Sequence, residues 1–472
     1  MASTYLGAIY GIGYVHGNCR PFERYPAVTA NNNGKTRLCP PPIIFNRRPL
    51  SVTQYKNFIS LTSQAYFCSA PIRLDSYNSC DFGCTYCFSR ERSRLFANAG
   101  TRTANPNALR QRFGRVNRGV VSSALDEFLQ RRVPIQLGGL QDAFPLREAE
   151  SGVTLRIMQI LRNENYPTII STKGNAFLGG PYLNALKGMN LVFRISAAGV
   201  SEQIRPYVER KCELFDQTLK KIDILSRQGI STALRIQPVF PGFEQTALDM
   251  ATRAAEAGVK QVTFEYLKLP SETIRTSLIT AKETLGYDVV RHMTKLGLTK
   301  IGPDWALTRD VKRPFVRAAR GHCKALGIAF GAGDTEFIHW SDGSGCCGSS
   351  DLSLVGASQF TANFVGAIKY GLSSKDSKIT FSFFDNQWFP SYPIGNYFDS
   401  RSRIRKNGKA IRDDWIELIA RRWNPGVSPY SPLFFDGVVK SNDTDESGYM
   451  IYDVSTLRKE LNSSSDVEIA QT

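Results

Sequence analysis

From about residue 71 the chain alternates short apolar runs with amphipathic stretches, a rhythm that specifies parallel strands joined by helices. The pattern predicts strands at Ile72 to Leu74, Pro134 to Leu137, Pro167 to Ile170, Leu191 to Ile195, Leu234 to Val239 and Gln261 to Leu267. Between the fourth and fifth of these, Phe215, Leu219, Ile222 and Leu225 recur at helical spacing, and Gly229 supplies a C-terminal stop. Six βα units over roughly 200 residues predict an α/β fold, a partial (β/α)6 barrel, with the chemistry at the C-terminal ends of the strands. An open doubly wound sheet is the competing architecture.

The rhythm is absent on either side. Residues 1–70, with NNNGKTR and CPPPIIFNRRP, read as a basic, irregular N-terminal extension, and 71–270 as the core barrel. Residues 271–355 are expected to complete the core with a helical, basic segment followed by a Gly, Ser and Cys loop. Residues 356–455 concentrate aromatics and are expected as a C-terminal accessory domain, and 456–472 as a polar tail. No internal repeat occurs.

Composition narrows the class. With 472 residues, 42% hydrophobic and 11% aromatic, the chain can bury a sizeable core, which excludes a linker or a disordered protein. No run of about 18 apolar residues occurs and the N-terminus lacks a basic region followed by an apolar one, so neither a membrane span nor secretion is expected, and the location reads as cytoplasmic. The net charge of +17 is concentrated: residues 1–119 hold 16 basic residues against Glu23, Asp75, Asp81 and Glu91. That placement suits a polyanionic partner such as nucleic acid, with a solvated basic face as the alternative.

Ten cysteines are too few for a disulfide scaffold of this length, so the thiols read as ligands or core residues. The informative cluster is Cys80-Asp-Phe-Gly-Cys84-Thr-Tyr-Cys87, a C-x3-C-x2-C loop just after the first predicted strand. Three thiolates from one short loop can hold three irons of a [4Fe-4S] cluster and leave the fourth without a protein ligand. A zinc site is the alternative and would need a fourth Cys or His, such as Cys68.

This spacing resembles the signature of the radical SAM superfamily, whose fourth iron binds S-adenosylmethionine (SAM); Tyr86 stands at the family's aromatic position before the third cysteine. The resemblance implies further SAM contacts at Gly138 and Gly139, Lys173, Ser196, Arg235 and Gln237, all at or near predicted strand ends. IQLGGLQDAFPLREAE, IISTKGNAF, ISAAGVSEQIRPYVERK and GISTALRIQPVFPG are similar to segments of the spore photoproduct lyase and DNA repair photolyase-like branch, over about residues 70 to 270. For this chain that implies a nucleic-acid substrate and an electron donor such as flavodoxin or ferredoxin. The chain departs from that branch in two places. The hydrogen-donor cysteine after the second strand is replaced by Gly139-Leu140-Gln141-Asp142, and Phe88 stands where a second tyrosine is usual. Cys212 reads as a buried structural thiol.

Cys323, Cys346 and Cys347, near His322 and His339, form a second constellation that would hold an auxiliary iron-sulfur cluster or zinc if Cys323 folds over the loop GSGCCG. Trp388, Phe389, Tyr392, Tyr397, Trp415 and Trp423 are interleaved with Arg401, Arg403, Arg405, Lys406, Lys409, Arg412, Arg421 and Arg422, a composition suited to single strands or flipped bases. Trp415, Ile419 and Trp423 also fit the apolar face of one helix. The expected activity is reductive cleavage of SAM and repair or modification of a nucleic-acid base or sugar. A peptide maturase with an auxiliary cluster and a non-catalytic, zinc-stabilised nucleic-acid-binding protein remain the alternatives.

Overall fold

The predicted alternation is realised as one eight-stranded sheet in a computed structural model that describes residues 29–30, 36–37, 53–89, 101–269, 272–280, 282–301, 304–398, 414–424 and 430–463. The strands are β1 (Ile59–Leu61), β2 (Ile72–Leu74), β3 (Ile135–Leu137), β4 (Thr168–Thr172), β5 (Leu191–Gly199), β6 (Thr232–Val239), β7 (Gln261–Tyr266) and β8 (Ala329–Ala332). They lie side by side in chain order, β2 to β8 parallel and β1 antiparallel at the edge. The six predicted strands are all present. The pattern missed β1 and β8, which are too short to show an apolar period, and β8 is two alanines and a glycine around one phenylalanine.

Strand side chains alternate between two faces. On one face Ile72, Leu74, Ile135, Leu137, Ile170, Phe193, Ile195, Leu234 and Ile236 are fully buried. The apolar stripes of the crossover helices cover them, for example Ile157 and Leu161 of Val153–Asn163 and Phe215, Ile222 and Leu225 of Phe215–Arg227. Gly229 ends the latter with φ of 72°, as its position after the stripe predicted.

The opposite face is polar. Register places Ser171 beside Arg194, Ser196 beside Arg235, and Arg235 beside Thr263. Only near the N-terminal strand ends does this face turn apolar, where Ala70, Ile169, Val192 and Ala233 meet Cys347, Leu354 and Ala357. The segment carrying those last three residues is pinned across the sheet. Thr263 Oγ1 donates to the Cys346 carbonyl at 2.7 Å and Asn190 Nδ2 to that of Val355 at 3.2 Å. The inner face thus has an apolar floor with a polar wall above it.

The chain divides into two units, Met1–Ser51 and Val52–Thr472. In the first, Thr29–Ala30 pairs antiparallel with Thr36–Arg37. Residues 53–70, assigned from sequence to the extension, instead belong to the second unit and contribute β1. The aromatics of 356–455 join the same core: Phe360 packs on Phe128 at 4.9 Å, and Trp415 on Tyr66 at 5.3 Å. The polar tail also needs correction, since Ser455–Ser463 is a helix that buries Leu457 and ion-pairs Glu460 with Arg313 at 2.5 Å and with Arg317. One apolar residue and one well-placed acid dock a segment whose composition reads as loose. Among the described residues no helix is long and apolar enough to cross a membrane.

Candidate active site

The loop Cys80–Cys87 leaves the C-terminal end of β2 and is tied down on two sides. Asp81 accepts from the Leu146 amide at 2.9 Å and from Arg147 Nε at 3.0 Å. The Thr85 amide donates to the Val208 carbonyl at 2.9 Å, and the Lys211 amide to that of Phe82 at 3.2 Å. Gly83 allows the sharp turn between the first two cysteines, with φ of 70°.

Cys80, Cys84, Tyr86 and Cys87 line a cavity of about 370 Å³ over the polar face of the sheet. The same cavity is lined by Gly138, Gly139, Lys173, Ser196, Arg235 and Gln237, and by Cys346 and Cys347. Residues from six separate stretches of chain therefore converge: the three cluster cysteines with Tyr86, every residue expected to contact SAM, and two of the three cysteines of the second constellation. A larger surface depression of about 570 Å³, at Arg132, Glu164 and Asn190, contains none of them.

The glycines have a local cause as well. Gly138 has φ of 84°, and a Cβ there would sit 2.5 Å from the Ser171 carbonyl oxygen. One at Gly139 would lie 2.9 Å from Arg73 Cγ, so close packing of neighbouring strand ends already excludes side chains.

Glu209 organises the wall beside Cys84. Its Oε1 is 2.7 Å from Lys173 Nζ and accepts from the Tyr86 hydroxyl and from the Ala198 amide at 3.2 Å; its Oε2 accepts from Arg205 Nη1 at 2.9 Å. Burial alone would raise this carboxyl, but Lys173 and Arg205 prevail and hold it down to about 2. Burial would likewise lower Lys173, yet Glu209 keeps it above its ordinary value. Lys173, expected from the resemblance to meet the SAM carboxylate, is thus already ion-paired within the protein.

Cys84 Sγ, Cys212 Sγ and a Glu209 oxygen lie within 4.8 Å of one another, a donor set that fits a metal ion by spacing. Its chemistry argues otherwise. Glu209 already accepts three hydrogen bonds, from Tyr86, Ala198 and Arg205, and the cation beside it is Lys173. The Cys212 thiol hydrogen-bonds to Cys84 and draws that thiol below its ordinary value against the effect of burial. Cys212 is therefore a neighbour of the cluster motif, a contact its isolated position in sequence did not signal.

The second constellation is not assembled as expected. Cys323 is fully buried in the helix Arg309–Ala325 with Asp342 as its charged neighbour, His322 Nε2 pairs with Thr252 at 2.9 Å, and His339 Nε2 with the Asp436 carbonyl at 2.7 Å. The helix turns Cys323 toward the outer apolar layer, so the thiol near Cys346 and Cys347 is instead Cys68. Two arginines stand just above that floor. Arg235 Nη2 pairs with Glu265 at 2.7 Å, and Glu265 also takes Lys268 at 2.8 Å. Arg194 stands on β5 one inward position below Ser196 and is 2% exposed. Its position carries no motif, although the strand period places it inside with Ser196.

Of the C-terminal aromatics, Trp415 and Trp423 are core residues, Trp388, Phe389 and Tyr397 are half-buried against the core, and Tyr392 is exposed. Trp415, Ile419 and Trp423 are fully buried on one helix face, and the two indoles donate to the carbonyls of Ala362 and Met450, each at 2.8 Å. Arg422 lies over the Tyr66 ring at 4.0 Å. The basic run Arg401, Arg403, Arg405, Lys406, Lys409 and Arg412 lies outside the described residues.

No protein-family model matches the chain, and no curated protein matches it. Among solved structures, spore photoproduct lyase complexed with dinucleoside spore photoproduct is similar over 60% of this chain and 79% of that one, at 14% identity and a TM-score of 0.44. Streptococcus suis SuiB bound to S-adenosylmethionine is similar over 43% of this chain and 41% of that one, at 12% identity and a TM-score of 0.31. SuiB bound to precursor peptide SuiA aligns over 49% and 48%, at 12% identity and a TM-score of 0.32.

Proposed function

We propose that this chain is a radical SAM enzyme that modifies or repairs a base or sugar of a nucleic acid. The observation that carries the chemistry is convergence. A C-x3-C-x2-C loop at the end of the first parallel strand opens into the same cavity as the end-of-strand residues Gly138, Lys173, Ser196, Arg235 and Gln237.

The donor set fits a [4Fe-4S] cluster: Cys80, Cys84 and Cys87 face one cavity from a loop that both flanks hold still. When bound, the cluster and SAM together supply one-electron cleavage of SAM and a carbon radical able to abstract hydrogen. The chain's own residues position and enclose. Tyr86, edge-on to Phe240 at 6.0 Å and hydrogen-bonded to Glu209, fixes the motif against the wall. Lys173, locked by Glu209, holds a positive charge beside Cys84 without offering a mobile ammonium. Ser196 and Gln237 present short polar groups to the cavity from β5 and β6. The apolar floor closes the N-terminal strand ends and keeps bulk water from entering there. The nucleic-acid substrate rests on the +17 charge and its concentration before residue 120.

The test is 5′-deoxyadenosine formation by anaerobically reconstituted protein with SAM and dithionite, with and without single-stranded DNA. The Cys80→Ala, Cys84→Ala, Cys87→Ala triple variant is expected to fall to background and DNA to stimulate the wild type. A full cluster with no product would refute the chemistry; product that DNA leaves unchanged would refute the substrate.

A further inference from the structure

We propose that the base of the polar wall, just above the apolar floor, is an oxyanion subsite in which Arg194, with Arg235 beside it, receives a phosphate or carboxylate group of the substrate. The first observation is an uncompensated charge. Arg194 is 2% exposed and projects from the inner face of β5 into the cavity. Among the described residues its guanidinium has no hydrogen-bond or ion-pair partner, and its Nε is buried without one. Guanidinium stays protonated at any working pH, so the charge cannot be avoided by losing a proton. A buried charge left unpaired opposes folding, and sites that tolerate one are those where a ligand supplies the counter-charge.

The neighbours do not supply it. Those around Arg194 are Arg235 and the thiols of Cys346, Cys347 and Cys68. Burial pushes the Cys68 and Cys346 thiols above their ordinary values, which leaves them neutral. Arg235 adds positive charge, and its one carboxylate, Glu265, is shared with Lys268. The balance at the base of the wall is thus positive, and two planar forks match the oxygens of one phosphate or carboxylate. Arg194 lies below Ser196 toward the apolar floor, whereas the cysteine loop stands at the C-terminal strand ends. The anion therefore enters past the radical chemistry, as the buried end of a substrate whose reacting carbon lies above it. That the anion belongs to the substrate rests on the reading proposed above; the subsite itself does not.

Thermal unfolding of the cluster-loaded protein tests this, with inorganic phosphate or acetate as probe against potassium chloride at equal ionic strength, each with and without saturating SAM. One of the two probes is expected to raise the midpoint saturably, by about 2 °C at ten times its dissociation constant, and to do so equally with SAM present. Which probe acts identifies the anion. Arg194→Met is expected to abolish the response while its probe-free midpoint equals or exceeds the wild type's. Arg194→Lys, which keeps the charge but loses the fork, is expected to bind the probe at least about tenfold more weakly. Three results would overturn the subsite: neither probe outperforming chloride, SAM abolishing the response, or Arg194→Met unfolding earlier than wild type without probe. The readout is binding, so a protein that fails to cleave SAM still answers it.

Discussion

Phe193 and Arg194 are neighbours in the chain, equally buried, and opposite in consequence. Phe193 points outward from β5 and packs on Phe177 at 4.6 Å within the layer between sheet and helices. Arg194 points inward to a cavity where it finds no partner. One peptide bond thus separates a residue that holds the fold together from one that the fold has to tolerate. The outer face of the sheet behaves as a core, in which contacts are saturated and volume is matched. The inner face behaves as a site, in which polar groups are aimed at something the protein does not itself provide.

The largest effect expected from this contrast is on the outer face. Phe193→Ala removes a fully buried ring from a cluster that also includes Phe144 and Phe177, and is expected to cost about 3–5 kcal/mol of stability. Arg194→Met one residue on is expected to cost none. Chemical denaturation of the pair measures the difference directly, and a similar loss in both would erase the distinction between the two faces.

The next effect concerns a buried charge that is compensated. Glu209 is held from an ordinary 4.5 down to about 2 by Lys173 and Arg205, which corresponds to a contribution on the order of 3 kcal/mol. Because the folded value is the depressed one, the contribution is fully present above about pH 4.5 and disappears as the pH falls toward 2. Glu209→Gln leaves Lys173 and Arg205 without their counter-charge and is expected to lose about 3–5 kcal/mol at neutral pH. The variant should also show a shallower loss of stability between pH 5 and 2. An acid transition of unchanged slope would mean that Glu209 does not carry the linkage.

What the sequence revealed follows the same division. The six central strands were legible because their outward positions are β-branched or large and recur with period two, and Phe215–Arg227 because its stripe recurs near 3.6. Cys80, Cys84 and Cys87 were legible because one short loop carries all three. Arg194 was missed although the same period-two argument that places Ser196 inside places it there too. Cys212 and Cys68 were beyond reach, since each meets its partners across more than a hundred residues, at Cys84 and at Cys346 and Cys347 respectively. The grouping of Cys323 with that pair failed because nearness in sequence says nothing of which helix face a thiol occupies. Trp415 and Trp423 were ambiguous for a related reason: an indole suits a base-stacking surface and a core alike, and only burial separates the two.

The smallest expected effect sets the scale for the others. Asp223 and Arg227 pair at 2.8 Å, four residues apart on the outward surface of Phe215–Arg227, with side chains 42% and 77% exposed. Water screens both charges and each side chain loses freedom by pairing, so Asp223→Asn is expected to cost no more than about 0.5 kcal/mol. The same ion-pair chemistry is thus worth little on the solvent side of a helix, several-fold more at Glu209, and is left open at Arg194. Salt distinguishes the cases further: raising the ionic strength to about 1 M should remove the small Asp223 contribution, because that pair lies within reach of counterions, and leave most of the Glu209 contribution in place. If both contributions fell together, burial would not be what separates them, and an unpaired Arg194 would not call for a bound anion.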